Sequence, residues 1–261
     1  MSSIVAIVGD LHIGGSTALS TPKFEIHTAR PDEIQVCDAS KTQEWLHTCW
    51  LEYWAYVRGL LEYKGNRRKN KLIVICLGDL LDGNHHGSNQ IMHEVADQVS
   101  MALSILQPIR EMADRFYGIL GTEAHSGQNH DTEHGLYRSL ECDAYGPQLT
   151  LDIDGCIIDV AHQRGAASLP NLYRTLASHT GGTRPRYVIG AHLHTVTDTG
   201  EADPQSRMVV NSCWQLPTSY GIRFQPGKRS DIGGLIINAG RLDTSRLRYY
   251  GEANERKVIK V

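Results

Sequence analysis

The chain has 261 residues, of which 21% are charged and 41% hydrophobic, with a formal net charge of −3. That length suits one large α/β domain over 1–261; no run reaches the roughly 18 apolar residues of a membrane helix, and a near-neutral balance excludes a surface built to coat nucleic acid by counterion release. Six cysteines stand singly, without a Cys-x-x-Cys pair, so neither a zinc knuckle nor a redox motif is indicated and a reduced cytoplasmic setting is expected.

The apolar run Ile4–Val8 leads straight into Gly-Asp-Leu-His, with no basic flank or cleavage site before it, and reads as a first strand rather than a leader. Thr17–Ser40 is a long connection without an assigned structure. Trp45, Cys49, Trp50, Trp54, Val57, Leu60 and Leu61 recur at three-to-four-residue spacing and predict an amphipathic helix over Lys41–Tyr63, its aromatic stripe facing a core. Lys64, Arg67, Arg68, Lys69 and Lys71 then form a basic connection, read as a solvated loop with phosphate contact as the rival.

Leu72–Leu77 is a second buried strand. Ile91–Arg115 predicts a long helix that Pro108 kinks or divides, followed by a strand at Phe116–Leu120 and a short helix at Thr132–Glu141. Leu149–Ile153 and Cys156–Ala161 flank Asp154-Gly155, a hairpin signal. A helix around Leu169–Ser178 precedes a strand at Arg186–Ile189. Beyond His194, strands at Met208–Ser212, Gly233–Asn238 and Ser245–Tyr250 have no long helix between them, which predicts mixed pairing in a second sheet.

Five short segments end five of these strands: Gly9-Asp10-Leu11-His12, Gly78-Asp79, Gly121-Thr122-Glu123-Ala124-His125, Ala161-His162 and Gly190-Ala191-His192-Leu193-His194. Strands lying side by side would gather these Asp and His residues into one pocket. Carboxylate oxygen with neutral imidazole suits two divalent transition ions (Mn, Fe, Zn, Co or Ni) better than calcium. Singly each motif is weak, since a Gly-Asp is commonly a turn and a lone His commonly structural. Their joint occurrence in this order is specific.

The order and residue types resemble the calcineurin-like metallophosphoesterase superfamily, whose blocks are Asp-x-His, Gly-Asp, Gly-Asn-His-Asp/Glu, a single His and Gly-His-x-His. The resemblance covers roughly residues 4–215. It implies a four-layer αββα double β-sandwich with flanking helices and a dinuclear site at the strand ends. It further implies that Asp10, His12 and His194 hold the first ion, Asp79 bridges, and His162 and His192 hold the second, with Mn favoured.

One block departs from that pattern. Gly121-Thr122-Glu123-Ala124-His125 has no Asn; Glu123 is the better substitute ligand, Thr122 the alternative, and a water or distant residue the third choice. His125 takes the acid role, stabilising charge on a phosphoryl oxygen or protonating the leaving oxygen, with His130 and His134 as rivals. The segment Asp82-Gly83-Asn84-His85-His86 follows Asp79 closely enough to line the rim, with Asn84, His85 and His86 as candidate substrate contacts, and Arg164 offers a planar fork to a phosphate oxygen.

These readings converge on hydrolysis of a phosphodiester by in-line attack of a metal-bound hydroxide, with a nucleotide or other small phosphodiester as substrate. A metal-dependent DNA exonuclease or endonuclease is the alternative, supported by the basic 64–71 connection. A third reading, from another class, is a non-catalytic protein-binding scaffold, for which the missing Asn is the sole support. Fold and metals do not choose among substrates, and nothing in the residues specifies an oligomeric state or a membrane partner.

Overall fold

The computed structural model describes residues 2–28, 33–61, 63–64, 67–84, 90–163, 170–171, 184–200, 205–218 and 229–249. In chain order the elements are β1 (Ser3–Val8), β2 (Lys23–His27), β3 (Ile34–Asp38), α1 (Lys41–Leu60), β4 (Tyr63–Lys64), β5 (Arg67–Arg68), β6 (Lys71–Cys76), α2 (Val95–Met112) and β7 (Arg115–Ile119). There follow α3 (Glu123–Ser126), α4 (Asp131–Ser139), β8 (Ala144–Gly146), β9 (Gln148–Ile153), β10 (Cys156–Ala161), β11 (Tyr187–Gly190), β12 (Thr197–Asp198), β13 (Arg207–Val210), β14 (Asp231–Ile232), β15 (Leu235–Asn238), β16 (Arg241–Asp243) and β17 (Arg248–Tyr249).

Two mixed sheets pack face to face, with helices flanking them. The first has the order β16-β15-β1-β6-β7-β8 and the second β12-β13-β11-β10-β9. β1, β6, β7 and β8 run parallel, as do β10, β11 and β13, so their C-terminal ends are collected at one edge of each sheet. The apolar runs of β1 and β6 follow from this position. Ile4, Ala6, Val8, Leu72, Val74 and Cys76 join the core under the helices, while Val5, Ile7, Ile73, Ile75 and Leu77 join Ile158, Val160, Ile189 and Val209 between the sheets. Alternate residues of one strand serve two cores, which is why these strands are apolar throughout rather than alternating. The outer face of the second sheet buries Val188, Met208 and Val210.

α1 starts with a reciprocal cap in which Ser40 Oγ accepts the Gln43 N–H at 3.3 Å and Gln43 Oε1 accepts the Ser40 N–H at 3.0 Å, a device worth about 1 kcal/mol. Its buried stripe carries Trp50, Tyr53 and Trp54; Trp50 and Tyr53 meet Trp214 edge-on, the Trp50 and Trp214 rings 4.9 Å apart, and Trp54 packs edge-on against both of them. The aromatic stripe is therefore core, as its spacing predicts.

Several elements differ from the sequence reading: α1 ends at Leu60, the basic connection 64–71 contains the β4–β5 hairpin, and β17 pairs with β14 in a two-stranded sheet of their own. α2 begins at Val95 rather than Ile91, because the Ile91 and Met92 N–H groups are drawn to the Gly14 carbonyl, and Pro108 sits inside it without dividing it. β15 joins the first sheet, not the second, pairing antiparallel with β1. The long connection 17–40 contains a hairpin, β2 paired with β3, docked on α2 where the His27 N–H and ring Nδ1 meet the Asp97 carboxylate at 2.8 and 2.5 Å. The helix read at Leu169–Ser178 lies outside the described residues apart from 170–171, which are helical. No helix among the described residues is long and apolar enough to cross a membrane.

Candidate metal centre

All five chemically dense segments leave C-terminal strand ends: those of β1, β6 and β7 in one sheet, and of β10 and β11 in the other. The loops after β1 and β6 continue their ladder beyond the strands, Asp10 N–H bonding the Gly78 carbonyl and His12 N–H the Asp79 carbonyl, each at 3.0 Å. Gly78 and Gly121 are required where the β6 and β7 loops cross: a side chain on Gly78 would meet the Gly121 nitrogen at 2.5 Å, and one on Gly121 would run into the Asp79 carboxylate. Asp10, His12, Asp79, His192 and His194 all adopt left-handed backbone, with φ of 50, 47, 49, 73 and 57°. Such a residue costs roughly 1–3 kcal/mol when it is not glycine, so the side chains at these positions are retained against the backbone's preference.

The structure brings these residues into two adjacent groups, Asp10 with His12 and His194, and Asp79 with His162 and His192. Asp10 is fully buried. Its Oδ2 accepts the His192 N–H at 3.0 Å, while Oδ1 accepts no hydrogen bond and faces the Nε2 atoms of His194, His12 and His162 at 3.5, 3.8 and 4.0 Å. A buried carboxylate oxygen left without a hydrogen bond costs free energy, and imidazole nitrogens converging on it leave the arrangement of ligands around a cation. His12 Nε2 and His194 Nε2 are 3.0 Å apart; two ligands at right angles on an ion with bonds of about 2.1 Å are separated by about 3 Å.

The second group repeats the logic. His162 Nδ1 lies 2.6 Å from the Leu77 carbonyl, an acceptor, so Nδ1 carries the proton and Nε2 is turned toward Asp79 Oδ2 at 2.9 Å. A backbone partner on the far nitrogen is the usual way a metal-binding imidazole is oriented. His192 Nδ1 is 3.9 Å from the same Asp79 oxygen, and its half-exposed ring marks the open side of the centre. The other Asp79 oxygen, Oδ1, accepts the Thr122 N–H at 2.6 Å and the Thr122 hydroxyl at 3.1 Å.

Electrostatics hold Asp10 ionised and His12 neutral, the states a cation needs, and keep on His162 a proton that an ion would displace. Burial raises the Asp10 carboxyl, but the imidazoles of His12, His194 and His162 gathered around it outweigh burial and hold it well below the ordinary carboxylate range. Burial, with His125 and His194 nearby, lowers His12 to about 4, so this imidazole is neutral. Burial opposes charge on His162 as well, yet Asp79 and Asp10 lift it to about 9.

The remaining candidates are placed as follows. His125 donates Nδ1–H to the Asp82 carbonyl at 2.7 Å and lies edge-on to His12, ring centres 4.3 Å apart. Glu123 is exposed and lies outside the His/Asp groups found among the described residues; Thr122 is the member of its block that touches Asp79. His130 Nδ1 bonds Ser126 Oγ and His134 packs edge-on against Tyr145. Asn84 is exposed, and His85, His86 and Arg164 lie outside the described residues.

Glu133 escaped the sequence reading, and Asp82 stood in it only as the start of the rim segment. Asp82 joins His12 and His125 in a third group, its Oδ1 3.7 Å from His12 Nδ1; its signal was a second Asp three residues after Asp79. Glu133 is fully buried on α4, where burial and nearby Asp79 push it up to about 7. Its signal was a carboxylate at helical spacing from the apolar Leu136 and Tyr137.

No protein-family model and no curated protein matches the chain. Among solved structures it is similar to one described as a novel archaeal phosphodiesterase, with a TM-score of 0.42 and 11% identity over 94% of this chain and 96% of that one. It is also similar to a Thermotoga maritima protein solved by NMR, with a TM-score of 0.37 and 14% identity over 95% of this chain and 96% of that one.

Proposed function

We propose that the chain is a dinuclear metal-dependent phosphodiesterase of the calcineurin-like metallophosphoesterase superfamily, acting on a nucleotide or other small phosphodiester. The observation that carries this reading is the pair of adjacent His/Asp groups at the strand ends, with Asp10 Oδ1 buried among three imidazole nitrogens. Mixed carboxylate and imidazole donors fit Mn, Fe, Zn, Co or Ni, and we favour Mn. Asp10, His12 and His194 would hold one ion; Asp79, His162 and His192 would hold the other.

Bound ions supply Lewis acidity and a water of lowered pKa. The chain's own groups do the rest. His125, its ring oriented by the Asp82 carbonyl, is assigned to the phosphoryl or leaving oxygen, where it stabilises charge or delivers a proton. Thr122 takes the position beside Asp79 that the block's missing Asn raises as a question, orienting the carboxylate instead of adding a charge. We read residues 1–261 as one catalytic unit, a reading supported by the pairing of β15 with β1.

The test is metal analysis of purified protein together with turnover of bis-p-nitrophenyl phosphate, p-nitrophenyl phosphate, cyclic nucleotides and labelled DNA. About two transition ions per chain and preference for the diester are expected. Fewer than one ion, with no rescue by added Mn2+, sinks the reading; preference for the monoester overturns the phosphodiesterase assignment, and preference for DNA over the small diesters redirects it to a nuclease.

A further inference from the structure

We infer that Glu133 is a positioning residue for this centre, a buried clamp that fixes the loop after β6 against the loop after β7 and thereby aims the Asp79 carboxylate. The inference rests on the dinuclear reading. Glu133 Oε1 accepts the Leu80 N–H at 3.0 Å and Oε2 accepts the Gly121 N–H at 2.6 Å. Leu80 directly follows Asp79, and Gly121 directly precedes Thr122, so one carboxylate grips the neighbour of each of the two residues that meet at Asp79 Oδ1.

The local geometry makes the grip consequential. Thr122 is in extended conformation, φ −86° and ψ 148°, and in extended backbone successive N–H groups point to opposite sides. Gly121 thus gives its N–H to Glu133 while Thr122 gives its own to Asp79 at 2.6 Å. With Oδ1 occupied in this way, Oδ2 is the oxygen turned to His162 and His192 at 2.9 and 3.9 Å. Slackening the clamp lets the two loops separate and frees the carboxylate to rotate. A residue that merely filled the core would not need two acceptor oxygens. A carboxylate supplies both, whereas Gln offers one oxygen and turns an NH2 group toward the other donor.

The experiment compares wild type with Glu133→Gln by calorimetric titration with Mn2+, thermal melting, and kcat and KM on bis-p-nitrophenyl phosphate. Wild type is expected to take two Mn2+ per chain. Glu133→Gln is expected to bind the weaker ion 10–100-fold less tightly, the usual cost of losing a group that orients a ligand, with kcat down at least tenfold and KM within twofold. A folded variant that keeps wild-type Mn2+ affinity and kcat overturns the positioning role, whatever its melting temperature.

Should Glu133→Gln fail to fold, amide exchange in the wild-type protein decides the matter. Leu80 and Gly121 amides that exchange only by global unfolding support the clamp, and rapid exchange at either one overturns it. Wild-type protein that takes up no Mn2+ overturns the metal-centre reading itself, an outcome distinct from normal wild-type uptake that Glu133→Gln leaves unchanged.

Discussion

Trp214 donates its backbone N–H to the carbonyl of Asp10 at 2.9 Å, so the first acidic residue of the centre rests on an aromatic floor. The Trp214 ring is fully buried and lies edge-on to both Trp50 and Tyr53 of α1. Truncating a buried Trp to Ala typically costs about 3–5 kcal/mol. Trp214→Ala should therefore lose about that much in urea unfolding, and should take up less Mn2+ even below the unfolding midpoint because the Asp10 loop loses its support. Trp214→Phe, which keeps most of the packing, should lose less of both.

His192 holds left-handed backbone at φ 73° while its half-exposed ring makes little core contact. Glycine adopts that conformation without a Cβ penalty of roughly 1–2 kcal/mol. His192→Gly should accordingly be more stable than His192→Ala by about 1 kcal/mol in denaturant titrations, and both should bind the second ion poorly. Equal stabilities would show that the backbone at 192 is relaxed.

Thr122 and Glu123 make separable demands on the centre. Replacing Thr122 with Val removes the hydroxyl from Asp79 but leaves the backbone N–H in place, and a drop of about 10–100-fold in Mn2+ affinity is expected for one lost hydrogen bond to a charged, ligand-orienting carboxylate. Exposed Glu123, changed to Gln, should leave affinity within twofold. The opposite ranking in a Mn2+ titration would return the ligand role to Glu123.

The His27–Asp97 pair should make hairpin docking depend on pH. Asp97 hydrogen-bonds and attracts the His27 imidazole, with Glu94 and Glu25 also nearby, and together they raise its pKa above 6.5. The charged pair is fully present below the unfolded value of 6.5 and is lost as pH rises through the raised folded value. The melting-temperature advantage of wild type over Asp97→Asn should thus be largest below pH 6.5 and shrink as pH rises through the raised folded value. An advantage that grows with pH would contradict the pairing.

Much of this was legible because it is local. The runs of β1 and β6, the α1 stripe and the Asp154-Gly155 hairpin, with Cys156 paired to Ile153, follow from periodicity and turn chemistry that neighbouring residues set. The placement of β15 does not. An apolar strand reads the same whichever sheet accepts it, and only packing against Ile4–Ile7 decides. Ile34 and Val36 of β3 are exposed, so that hairpin lacked the buried face that reveals a strand. At the site, Asp and His at strand ends were visible, whereas the part played by Glu123 turned on a single turn of helix. Successive helical residues rotate about 100°, so positions two apart diverge by about 200°; α3 turns His125 inward and leaves Glu123 in solvent.

The antiparallel partner of β1 is supplied by residues 235–238, and the Asp10 carbonyl waits for the amide of residue 214. During synthesis the earliest-made ligands must therefore remain unassembled until nearly the whole described chain has left the ribosome. β1 meanwhile presents an open, apolar edge of the kind that recruits foreign strands. Such late closure defers assembly of the His/Asp cluster to the emergence of residues 214–238 rather than to the appearance of its first members.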